Sequence, residues 1–72
     1  MLSIVMVVTE QQIDNIADRL FNFPGVILVS ERAASAIAER VAEKTVSDDE
    51  LWQIAKASDY FIDFEDGEFA ID

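Results

Sequence analysis

Residues 60–72 read YFIDFEDGEFAID. At their centre Asp66-Gly67 is the dipeptide favoured by a two-residue type I′ turn, in which both central positions take positive φ. Apolar and polar residues alternate on either side, the period of a strand with one buried face. The stretch is a predicted C-terminal β-hairpin. Counting outward from the turn sets Glu65 opposite Glu68, Phe64 opposite Phe69, Asp63 opposite Ala70 and Ile62 opposite Ile71. Phe64, Phe69, Ile62 and Ile71 are then the expected core face. Asp63, Glu65, Glu68 and Asp72 fall on the other face, flanked by Tyr60 and Phe61.

Working outward, Leu2–Val8 is a continuous apolar, β-branched run, the pattern of a strand buried on both faces. Thr9 and Gln12 form a capping box, so a helix is expected from about Glu10. Ile13, Ile16, Ala17, Leu20 and Phe21 recur at helical spacing as its buried stripe. Pro24-Gly25 ends it, and Val26–Val29 is a second short strand. Two strands joined through one helix predict a parallel, right-handed βαβ unit. Ser30 caps the next helix, with Ala34, Ile37, Ala38 and Val41 inward. Ser47 and Glu50 are a second capping box, with Asp48 and Asp49 favourable to the helix dipole. That third helix is expected over Asp48 to Ala57, with Leu51, Ile54 and Ala55 inward and Trp52 half-buried. The predicted fold is α/β (α+β): one small two-layer domain over residues 1–72. Its element order is β-α-β-α-α-β-β, with helices on a mixed sheet.

Half the residues are apolar, 51%, which suits a chain of 72 residues that must build an efficient core. Cysteine and histidine are absent, which removes disulfides, thiolate metal sites and the commonest general bases. The run MLSIVMVV lacks a basic flank and a small-residue cleavage site, so it does not read as a secretory signal. It is also far shorter than the roughly 20 residues of a membrane span. The expected location is the cytoplasm, or the host cytoplasm if the chain is phage-encoded.

Charge is the unusual property. Fifteen acids against five bases give a net charge of −10. Residues 45–72 hold nine of the acids and one base, Lys56. That excess opposes direct contact with nucleic acid or anionic lipid, and it calls for a basic partner.

No catalytic constellation emerges, and no enzymatic activity is expected. Gly25 and Gly67 are isolated turn residues, not a phosphate-cradling loop. The string DFEDGE resembles a calcium loop only superficially. A calcium loop with Gly67 sixth needs acids first, third and fifth, and those positions hold Ile62, Phe64 and Asp66. No cofactor or metal is expected.

Two carboxylate arrays remain. Glu10, Asp14 and Asp18 follow at i, i+4 and i+8 along one helix face, where like charges repel by a few tenths of a kcal/mol (roughly 0.2–0.5) per pair. On the hairpin, Glu65 opposite Glu68 is a destabilising pair where lysine is the ordinary choice. Glu10, Asp14 and Asp18, together with Asp63, Glu65, Glu68 and Asp72, are the candidate partner-binding set. One reading makes them solvated faces of an acidic protein without a mimicry role. A second makes them substitutes for nucleic-acid phosphates, which occur about every 1.7 Å along a duplex. In size and charge the chain resembles small phage-encoded DNA mimics and anti-CRISPR inhibitors. That resemblance rests on no motif and transfers no residue. It implies a non-enzymatic inhibitor that blocks a basic nucleic-acid-binding protein. An immunity protein or antitoxin neutralising a nuclease uses the same physics. Acyl carriers share the acidity, but their Asp-Ser-Leu site is absent. A homodimer through an edge strand is compatible with the sequence.

Overall fold

The computed structural model describes residues 8–42 and 44–72. In chain order these form α1 (Glu10–Phe21), β1 (Val26–Val29), α2 (Glu31–Val41), α3 (Asp48–Ala57), β2 (Phe61–Asp63) and β3 (Phe69–Ile71). The strands make a mixed sheet in the order β1-β3-β2, with β1 parallel and β2 antiparallel to β3. The α/β class and the six-element run α-β-α-α-β-β agree with the sequence. The strand predicted over Leu2–Val8, and its parallel pairing with β1, lie outside the described residues, Val8 excepted. Val8 is half-buried against the core.

Each helix begins where its capping residue dictates. Thr9 Oγ1 accepts from the Gln12 N–H at 3.2 Å, and Gln12 Oε1 accepts from the Thr9 N–H at 2.8 Å, a complete capping box. Ser30 Oγ accepts from the Ala33 N–H at 3.1 Å, and Ser47 Oγ from the Glu50 N–H at 3.2 Å. Arg19 then ties two helices together. Its Nη2 reaches Asp48 Oδ1 at 2.7 Å and the Val46 carbonyl at 2.9 Å, at the entrance to α3.

The core gathers between the helices and one sheet face. Leu20, Ile37, Leu51 and Ile71 are fully buried. Burial of such a side chain stabilises by about 1.5–3 kcal/mol. Ala33, Ala34 and Ala38 are also buried, and their small size lets α2 lie close to α1. Beside this core runs an aromatic cluster. Trp52 stacks on Phe23 at 4.7 Å and meets Phe61 and Phe69 edge-on, each at 5.6 Å. Phe61 stacks on Phe69 at 5.4 Å.

Two core expectations are overturned. Phe21 is exposed, because α1 ends there and the turn through Asn22 brings Phe23 inward instead. The hairpin register also differs by one residue. Phe61 pairs with Ile71, Ile62 with Ala70 and Asp63 with Phe69. The connection therefore centres on Asp66, with φ positive at Glu65 (68°) and Gly67 (86°) but not at Asp66. This is not the expected type I′ turn. A one-residue slip exchanges the faces of a strand. Ile62 and Phe64, expected in the core, are exposed, while Phe61 takes the inward position against Trp52.

Tertiary contacts explain the slip. Gly25, at φ 86°, abuts the Gly67 carbonyl and the Phe69 ring so closely that any Cβ there would collide. The Gly25 carbonyl accepts from the Phe69 N–H at 2.8 Å. The loop is thus pinned to the end of α1, and α3 supplies the indole that selects Phe61.

Candidate functional site

The hairpin loop is organised by its own acids. Asp63 Oδ1 accepts from the Glu65 N–H at 2.8 Å, and Asp66 Oδ1 from the Glu68 N–H at 3.3 Å. Asp side chains commonly turn the chain by bonding two residues ahead. The Phe64 N–H donates to the Glu68 carbonyl at 3.1 Å and closes the loop. Two of the four loop carboxylates therefore hold backbone. Glu65 and Glu68 remain free to face solvent. They are not directly opposed as expected: Phe64 is opposite Glu68, and Glu65 is opposite Gly67. Asp63, expected opposite Ala70 on the outer face, instead pairs with Phe69.

The seven candidate residues do not form one surface. Strand direction puts the hairpin loop at the amino end of β3, beside Gly25. Asp72 lies at the opposite end, past Ile71, and Arg32 Nη2 approaches its carboxylate at 4.0 Å. Glu10 and Asp14 are also at that end. They share a hollow with Ile13, Ala17, Val29 and Glu31, which adds a third carboxylate that the sequence reading did not single out. Asp18 continues the α1 stripe back toward the Gly25 turn. Glu10 and Asp18, eight residues apart, are about 12 Å apart along the helix axis.

Bases do little to neutralise these arrays. Arg19 is engaged with Asp48, Arg32 sits near Asp72 and over the Tyr60 ring at 5.5 Å, and Lys56 lies 6.0 Å from the Trp52 ring. Among the described residues no ion pair reaches Glu10, Asp14, Asp18, Asp63, Glu65 or Glu68. No group of three or more Asp or Glu among them converges to hold a metal ion. No helix among them is long and apolar enough to cross a membrane. Another open hollow lies elsewhere, between α1, the end of α2 and residues 44–46, with Gln12, Asn15, Arg19 and Thr45 on its walls.

One feature of the sheet was not legible in the sequence. Leu28, Ala70 and Ile62 are register neighbours across all three strands, with Ala70 itself buried between the two exposed side chains. Phe64, two residues past Ile62, continues this row. It lies on the face opposite Phe61, Phe69 and Ile71, and Leu28, Ile62 and Phe64 are 47%, 40% and 48% exposed. A register irregularity between Val26 and Leu28 leaves Ile27 exposed as well. The run VILV gave no sign of this, because a continuous apolar strand reads as buried on both sides. The spacing Asp63-x-Glu65 and Asp66-x-Glu68 was the signal that could have revealed the wider loop.

No protein-family model matches the chain, and no curated protein or solved structure matches it significantly.

Proposed function

We propose that this protein acts by binding, not catalysis, as an inhibitor that offers carboxylates in place of nucleic-acid phosphates to a basic nucleic-acid-binding protein. The observation that carries this reading is the Glu65–Glu68 loop. Glu65 occupies the left-handed region at φ 68°, which penalises an L-residue by about 1–2 kcal/mol and which Gly or Asn tolerates better. The position nonetheless carries a free carboxylate, close in sequence to a second at Glu68, on a loop braced by Asp63 and Asp66. Strain retained at an exposed charged position is the kind of outlier from which a binding role is inferred. Unneutralised acids on α1 add to the chain's net charge of −10, which would steer a basic partner and make association salt-dependent.

The test is capture of partners at low salt by the wild-type chain and by a Glu65→Lys, Glu68→Lys double variant. The variant should lose a nucleic-acid-binding partner, with thermal stability preserved or raised because two positive charges now sit in a chain whose net charge is −10. Retention of that partner by the variant sinks the reading for this loop. A captured nuclease with a basic active site would assign the same carboxylates to an immunity or antitoxin role.

A further inference from the structure

Resting on that reading, we infer that the outer sheet face formed by Leu28, Ile62, Phe64 and Glu68 docks on a surface where basic side chains alternate with aromatic ones, the chemistry with which proteins hold single-stranded nucleic acid. Such proteins neutralise the backbone with Lys and Arg and stack the bases on aromatic rings. A duplex presents its phosphates outward and hides its bases, so imitation of a duplex needs carboxylates alone. This face combines both kinds of group. Phe64 is opposite Glu68 across the loop, Glu65 follows directly, and Ile62 and Leu28 extend the apolar row from Phe64 across the sheet. All three apolar side chains are 40–48% exposed. Charge complementarity selects the occupant. A second copy of this chain, at net charge −10, would bring Glu65 and Glu68 against an equally acidic molecule. A basic surface with aromatic side chains satisfies the carboxylates and covers the apolar row together.

Three short peptides test this. They alternate lysine with tryptophan, with leucine or with alanine, and each is titrated into the full chain at low salt while backbone amide shifts are followed. The tryptophan peptide should bind about tenfold more tightly than the alanine peptide, the scale of one added stacking contact. Its shifts should centre on Leu28, Ile62, Phe64, Glu68 and Ala70. The leucine peptide should fall between them. Ile62→Ser with Phe64→Ser should reduce the tryptophan peptide to the level of the alanine one, with the helical circular dichroism and melting curve retained. Equal binding of all three peptides, or shifts confined to α1, overturns the inference and leaves the acidic reading standing. Leucine equal to or better than tryptophan overturns the aromatic assignment. Absence of binding by every peptide overturns the acidic reading itself. Nuclear Overhauser contacts from residues 2–7 onto Leu28 and Ile62, or a sedimenting dimer abolished by Ile62→Ser, would show the face already occupied and overturn the inference.

Discussion

The Phe64 N–H donates to the carbonyl of Glu68 at 3.1 Å, so the C-terminal hairpin closes around Glu65, Asp66 and Gly67, not around Asp66-Gly67 alone. One added residue in the loop moves the whole strand by one position. Phe61 and Asp63 then share a face with Phe69 and Ile71, and Ile62 and Phe64 turn outward. An apolar row therefore lies beside the free loop carboxylates of Glu65 and Glu68.

That register predicts opposite outcomes for adjacent residues. Phe61 lies 5.6 Å from Trp52 and 5.4 Å from Phe69, centroid to centroid. Phe61→Ala should destabilise by about 3 kcal/mol, the low end for a large aromatic in a half-buried site. Ile62→Ser, at an exposed position, should change stability by no more than about 0.5 kcal/mol. Urea unfolding followed by the fluorescence of Trp52, the sole tryptophan, measures both. The reverse order would restore the register centred between Asp66 and Gly67.

Helix boundaries were legible because their determinants are local. Thr9, Ser30 and Ser47 each accept from a backbone N–H three residues ahead, and the apolar stripes begin just beyond them. The hairpin register was not legible in the same way. Asp66-Gly67 and strict alternation favour a two-residue turn, but the competing terms are tertiary: the Gly25 contact with Gly67 and Phe69, and the Trp52 indole against Phe61. The parallel pairing of β1 with β3 joins residues about 40 positions apart, and short-range patterning carries no information on it. For the candidate site, composition and spacing identified the acids. Which of them hold backbone, as Asp63 and Asp66 do, required the loop geometry.

Arg19 makes a prediction about how α1 and α3 are joined. Its side chain is 30% exposed, against 74% for Asp48, so most of the ion pair's charge is screened by water. The bond to the Val46 carbonyl is part-buried and less sensitive to solvent. Arg19→Ala should therefore cost about 1–2 kcal/mol, since its bonds to Asp48 and to the Val46 carbonyl are all lost. Asp48→Asn should cost about 0.2–1 kcal/mol, the range for exposed pairs. Raising salt should shrink the second effect more than the first. Equal losses in the two variants would mean that the carbonyl contact contributes nothing.

The end of α2 holds a second residue in a sparsely allowed conformation. Ala42 follows the helix at φ 53°, ψ −126°, a combination natural only for glycine. Relief of that strain is partly offset by the greater freedom glycine gives the unfolded chain. Ala42→Gly should still stabilise by about 1 kcal/mol. The urea midpoint should rise with its slope unchanged. A lower midpoint would show that Ala42 is not strained in solution.

Glu65 separates the stability of the loop from its proposed role. Asparagine tolerates the left-handed region better than glutamate, and it carries no charge. Glu65→Asn should stabilise the fold by about 0.5–1 kcal/mol, equivalent to roughly 2–8 °C in melting temperature for a domain of this size. The same change should weaken binding of the alternating lysine–tryptophan peptide at low salt, because one of the two free loop carboxylates is gone. Higher stability with weaker binding is the signature of a residue kept for its charge at the expense of the fold. If Glu65→Asn gains stability and binds the peptide as the wild type does, Glu65 has no part in the binding surface and Glu68 carries the loop's contribution alone.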